Sequence, residues 1–246
     1  MRVSTSSLWL GVVCLFALQA NAGTIIVSGD SNISDNLAGK PGNARFFANV
    51  LGAGTSVFVL DTTPSLCCLG PFDDTINTFY NTLPGVVSTK SASPITAAGL
   101  AGVNLVVALA PNLAFTAPEA AALSGYLSGG GTLFLMGDND GFPGENANVN
   151  NLLISLGSGL RIVEDMLDAG FNNAIVLPNP LTAGVGTLEY AATSRVTGGT
   201  ALLQSLQRFT FAAVETTPNA GGPEPSAYWT VALGLGAIAL SRTRRG

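Results

Sequence analysis

Histidine is absent from all 246 residues of the chain. The side chain that most often moves protons near neutral pH is therefore unavailable. Any serine or cysteine nucleophile would need Lys or a carboxylate to activate it. Charge is scarce as well, with Asp, Glu, Lys and Arg making up 10% of the residues. Residues 23–222 carry six basic against fourteen acidic side chains. Phosphate backbones are bound by Lys and Arg clusters, so this balance argues against nucleic acid as a partner. No Gly-Lys-Ser/Thr element is present for a P-loop, and Gly29-Asp30-Ser31-Asn32 lacks the spaced glycines of a dinucleotide loop. Lys40 and Lys90 have no readable pairing with a serine nucleophile.

Cysteine is nearly missing too. Of the three, Cys14 lies in an apolar leader, with Val13 before it where a lipoprotein leader would carry a small residue. Cys67 and Cys68 are adjacent, and consecutive Cα atoms sit ~3.8 Å apart, below the ~4.4–6.8 Å usual for a disulfide. A strained vicinal disulfide, two reduced thiols and an intermolecular bridge all stay open for this pair. Zinc needs more nitrogen or sulfur ligands than two cysteines supply.

The two ends explain much of the 47% hydrophobic composition. Met1-Arg2 precedes an apolar stretch from Leu8 to Leu18 and then Ala20-Asn21-Ala22, the layout of a secretory signal with small residues at −3 and −1. The predicted signal peptide is 1–22, cut after Ala22 by signal peptidase following general export. Its apolar run of ~11 residues is too short for a span of ~20. At the other end a Gly/Pro/Thr-rich linker, 216–222, leads into Pro223-Glu224-Pro225, an apolar run over about 227–240, and Arg242, Arg244 and Arg245. Basic residues beyond an apolar helix favour retention on the cytoplasmic side, so the tail is expected to stop in the inner membrane with the rest outside.

This tripartite end, 223–246, resembles the PEP-CTERM sorting signal of Gram-negative bacteria. The resemblance implies recognition by the membrane-embedded exosortase, cleavage near Pro223-Glu224-Pro225, and passage from the inner membrane to the cell surface or medium. It also implies association with exopolysaccharide and biofilm matrix.

Between the ends, short apolar runs alternate with amphipathic segments. Strands are expected at Thr24–Ser28, Ser56–Leu60, Asn104–Ala110, Thr132–Met136 and Leu160–Val163. Helices are expected at Asn43–Leu51, Asp73–Leu83, from a Thr116 cap to Tyr126 or Leu127, and at Asn148–Leu156. Alternation with Gly-rich joints predicts one α/β domain over 23–215, with a doubly wound, mostly parallel sheet. The stretch Ala114–Gly157 resembles the flavodoxin-like domains related to class I glutamine amidotransferases: a buried strand, a helix beginning Thr116-x-x-Glu119, the Gly129-Gly130-Gly131 turn, and another buried strand. Asn179-Pro180-Leu181-Thr182-Ala183-Gly184-Val185 resembles a late loop of the same domains. Those enzymes use a cysteine on a sharp turn with a histidine partner. With no histidine and no elbow around Cys67-Cys68, the resemblance implies a non-catalytic relative without a cofactor.

The remaining chemistry is acidic. Ligands of doubly wound sheets gather beyond the carboxyl ends of the strands, where Asp30, Asp61 and Asp138 fall. Asp140 and Glu145 follow in the loop after Gly137. Alternating oxygen side chains in a Gly-containing loop suit calcium, although the twelve-residue EF-hand pattern is missing and Asp and Asn are ordinary turn formers. These five are the candidate metal ligands. A surface or matrix interaction module is the primary expectation; a calcium- or carbohydrate-binding domain and a carboxylate-dependent hydrolase are the rivals.

Overall fold

The computed structural model describes residues 22–61 and 71–217. The expected signal peptide, the Cys67-Cys68 pair, the sorting tail and its apolar helix lie outside the described residues. Among the described residues no helix is long and apolar enough to cross a membrane.

The first half follows the alternation read from the sequence. In order come β1 (Thr24–Ser28), α1 (Pro41–Leu51), β2 (Ser56–Leu60), α2 (Phe72–Thr82), β3 (Val87–Ser91), β4 (Leu105–Leu109), α3 (Ala117–Ser128), β5 (Thr132–Met136) and α4 (Pro143–Ser155). Helix starts have local causes. Thr116 and Glu119 close a reciprocal capping box on α3, satisfying two backbone donors that the first turn cannot pair. Pro41 and Pro143 open α1 and α4, where the missing N–H costs nothing. Glu145, expected in a loop, therefore sits in the first turn of α4.

The sheet is mixed, with eight strands in the order β3-β2-β4-β5-β1-β10-β9-β7. The five strands from β3 to β1 are parallel. All five residues of β4 are buried, as a central parallel strand covered on both faces requires. Alternate residues of one strand feed two cores: Ile26 packs with Phe46 and Phe47 of α1 and with Ile76 and Tyr80 of α2. Ile25 and Val27 pack with Leu123 and Leu127 of α3 and with Val149, Leu152 and Leu153 of α4. Helices thus cover both faces, and each such buried side chain contributes about 1.5–3 kcal/mol. All described residues fall within one compact unit, Asn21–Gly221.

The second half departs from the expected pattern. The short strand expected at Leu160–Val163 is the start of β6 (Arg161–Asn173), which pairs antiparallel with β8 (Glu189–Thr197) as a separate two-stranded ribbon. β7 (Ile175–Val176), β9 (Thr200–Gln204) and β10 (Thr210–Thr216) extend the main sheet antiparallel beside β1. Two register shifts interrupt β6, between Val163 and Leu167 and between Leu167 and Phe171. Asp168 there has φ of 49° and Gly170 of 85°. Such bulges destroy the period of two on which strand reading depends.

Candidate functional site

β1 and β5 lie side by side, parallel and without offset, so that Ser28 pairs with Met136. Two residues beyond that pair, Asp30 and Asp138 leave the two strands at the same level, and both are fully buried. The chain after β1 leads to α1 on one face and the chain after β5 to α4 on the other. That divergence opens the kind of crevice in which α/β sheets hold ligands.

Here the crevice is filled by β8. Ala191 donates its N–H to Asp30 Oδ2 at 3.0 Å. Ser194 donates its N–H to the Gly29 carbonyl at 2.8 Å, and the Thr193 hydroxyl donates to the same oxygen at 3.0 Å. Asn43, near the start of α1, fixes the entry to β8: its amide nitrogen donates to the Glu189 carbonyl at 2.7 Å and its Oδ1 accepts the Glu189 N–H at 2.9 Å. Lys40 adds an ion pair to the Glu189 carboxylate at 2.5 Å.

The two carboxylates are saturated by the protein. Asp30 Oδ1 accepts from Asn32 N and Nδ2 at 2.8 and 3.0 Å. Asp138 Oδ1 accepts from Asn139 N and Nδ2, both at 2.7 Å, while Oδ2 accepts from the Ser31 N–H at 3.3 Å and from the Ser31 hydroxyl. Asn146 of α4 clamps the same loop, accepting from Asp138 N at 3.0 Å and donating to its carbonyl at 2.8 Å. Burial and the neighbouring Asp138 charge push Asp30 up to about 8. Burial also pushes Asp138 up to about 6, against the hydrogen bonds from Ser31 and Asn139. The two groups titrate as a pair, and Asp30 is the one that keeps its proton near neutrality.

The other three candidate ligands go elsewhere. Asp61, at the end of β2, pairs with Lys90, whose ammonium also reaches Asp74 at 2.5 Å and Asp73 at 3.4 Å. Asp140 is exposed, and its backbone N–H donates to the Asp165 carbonyl at 3.2 Å. Glu145 lies on α4. Among the described residues no three His, Cys, Asp or Glu side chains gather as a metal site needs. The loop from Gly137 to Gly141 is closed by its own side chains, with Asn139 Oδ1 accepting the Gly141 N–H at 2.9 Å.

A second divergence lies between β2 and β4, which lead to α2 and α3 on opposite faces. An open crevice of about 250 Å³ sits at this point, walled by Leu60, Pro94, Pro111 and Phe115, with Asp61, Ser93, Asn112 and Glu119 at its polar positions. A larger groove of about 730 Å³ runs between α1 and α2, away from the buried carboxylate pair, and is lined by small side chains such as Ala44, Ala48, Thr75 and Thr78.

Sequence reading found Asp30 and Asp138 because strand ends are legible. It missed Ser31, Asn43, Asn146 and the β8 residues that enclose them. The β-branched and aromatic content of Tyr190–Thr197 was the available signal for β8, but its position across another strand's end is set by contacts about 160 residues apart in sequence.

No protein-family model matches the chain, and no curated protein matches it. Among solved structures, the chain is similar to the N-terminal domain of mmIFT52, with 16% identity and a TM-score of 0.50, covering 67% of this chain and 86% of that one. At that identity the likeness speaks to fold alone.

Proposed function

We propose that the chain is an exported, exosortase-processed surface or matrix protein whose doubly wound, amidotransferase-like domain is a non-catalytic interaction module. The supporting observation is the seating of β8 over the β1/β5 crevice: the strand ends where this class of sheet would receive a substrate hold Asp30 and Asp138 at zero exposure. A buried, saturated carboxylate pair has no route to a substrate, and the chain has no histidine to replace it. The export half of the reading rests on the two terminal sequence patterns.

Replacing Pro223-Glu224-Pro225 by alanines in the full-length chain is expected to leave uncut protein in the membrane fraction; unchanged release refutes the sorting reading. For the domain itself, the processed protein should sediment with extracellular matrix and be freed when the matrix polysaccharide is digested. Protein found wholly in the medium before digestion refutes the matrix role.

The open β2/β4 crevice favours a second reading, a site for a small neutral carbohydrate, since its apolar walls and acidic rim suit hydroxyl groups better than anions. Ala114 also lines this crevice, and on this reading a panel of oligosaccharides raises the melting temperature of the parent and not of Ala114→Trp, which puts a bulky ring into it. Equal responses in both proteins remove it.

A further inference from the structure

A protease holds its substrate extended across the scissile bond, through main-chain hydrogen bonds of the kind that add a strand to a sheet edge. Backbone on both sides of that bond must therefore be free. At the bond between Ala22 and Gly23, where the signal peptide is expected to end, the requirement is met on one side only: Ala22 is exposed and Gly23 is buried.

Beyond the bond the backbone is already engaged. The Gly23 carbonyl accepts the Thr217 N–H at 2.9 Å and the Thr217 hydroxyl at 3.3 Å. The Thr24 N–H donates to the Gly131 carbonyl at 3.0 Å. Gly23 is also pressed against the end of α3, since a Cβ on it would lie 2.3 Å from the Leu127 carbonyl oxygen. From Thr24 the chain enters β1, an interior strand that pairs along its whole length with β5 on one side and β10 on the other. Ile25, Ile26 and Val27 within it are fully buried. Exposing a substrate-length segment means withdrawing β1 from between its two neighbours.

The strand that completes this enclosure is the last of the described strands. β10 ends at Thr216, opposite Thr24, and the next residue, Thr217, is the one that holds Gly23. The sorting motif stands in contrast. Pro223 follows Thr217 by six positions, so a cut near it leaves every β10 pairing intact.

We infer an order of events: the signal-peptide cut comes before β10 closes the sheet over β1, and a precursor whose domain closes first keeps its signal peptide. The inference rests on the export reading proposed above. The reaction is hydrolysis of the Ala22–Gly23 amide, in which water leaves a carboxylate on Ala22 and an amine on Gly23. It acts on the unclosed chain.

The test gives purified signal peptidase the full-length precursor in detergent, either refolded beforehand or diluted from denaturant directly into the enzyme. A third sample is a refolded variant with a Gly/Ser spacer of about eight residues inserted between Ala22 and Gly23, which carries the scissile bond away from the sheet. Mass spectrometry locates the cut, and a thermal melt reports closure. The chain delivered unfolded should be cut after Ala22. The refolded precursor should be cut at least about a hundredfold more slowly, because proteolysis of a closed chain tracks its small open population. The spacer should restore cutting of the refolded chain to within about threefold of the unfolded rate. A precursor that shows no cooperative melt until it is cut supports the order in its strictest form. A refolded, cooperatively melting precursor cut as fast as the unfolded chain overturns the order, and so does resistance that the spacer fails to relieve. Absence of cutting after Ala22 in the unfolded chain is a separate failure, which removes the signal reading itself.

Discussion

Gly29 and Ser194 meet backbone to backbone: a Cβ placed on Gly29 would lie 2.1 Å from the Ser194 carbonyl oxygen, and the Ser194 N–H donates to the Gly29 carbonyl at 2.8 Å. The glycine at the end of β1 is thus the seat on which β8 rests. Its role is close approach, because Gly29 is not among the residues with positive φ.

Gly29→Ala is accordingly expected to push β8 off its seat. The clash is with backbone and cannot be relieved by a rotamer change, so the loss should be about 2–4 kcal/mol. Each kcal/mol moves the melting temperature by roughly 2–4 °C in a domain of this size. Gly125, in α3 with nothing within 4 Å of a built Cβ, supplies the contrast: Gly125→Ala should stabilise by roughly 0.5–1 kcal/mol through helix propensity alone. Thermal melts of the three proteins decide it. A Gly29→Ala midpoint equal to the parent's would contradict the seating of β8.

The buried pair beneath that seat makes stability depend on pH. Asp30 and Asp138 are raised to about 8 and about 6 in the folded domain, whereas an unfolded aspartate titrates near ~3.9. The folded state therefore keeps protons that the unfolded chain has already released. The stability this contributes is complete below about pH 4 and is lost as pH rises, first through about 6 and then through about 8. Melting temperature should fall from pH 5 to about pH 8, less steeply once pH passes about 6, and level off above that. Asp138→Asn removes one titrating group and the charge that helps raise Asp30, so its profile should be shallower and displaced toward acid pH. A profile that is flat or rises over this range, or a variant that reproduces the parent's curve, would be incompatible with the pair.

How far these features were legible depends on the range of the forces that set them. The Thr116/Glu119 capping box and the fully buried run of β4 are local or nearly so, and their residues announce them. β3 escaped notice because an edge strand is half exposed, and Val87-Ser88-Thr89-Lys90-Ser91 carries little of the apolar signal of a strand. β6 escaped because its bulges at Asp168 and Gly170 break alternation. The parallel expectation failed beyond α4 for a different reason: no α-helix separates the last strands, so the long crossover that parallel pairing needs is missing, and β9 and β10 are joined directly as an antiparallel hairpin. At the site, strand ends located Asp30 and Asp138, but their enclosure by Ala191, Thr193 and Ser194 is a long-range contact with no local mark.

That enclosure also governs calcium. The ion takes six to eight oxygens, and the oxygens proposed from sequence are committed elsewhere: Asp138 to Ser31 and Asn139, Asp30 to Asn32 and Ala191, Asp61 to Lys90. Asp140 and Glu145 alone fall well short of a coordination shell. Calcium in the millimolar range should therefore leave the melting temperature of the full-length chain where it was. Specific binding at a hundred times its dissociation constant would instead stabilise by about 2.7 kcal/mol, a shift of several degrees that differential scanning calorimetry reads easily. Such a rise, if abolished by the exposed-site change Asp140→Ala, would restore the acidic loop as a metal site and require it to rearrange on binding.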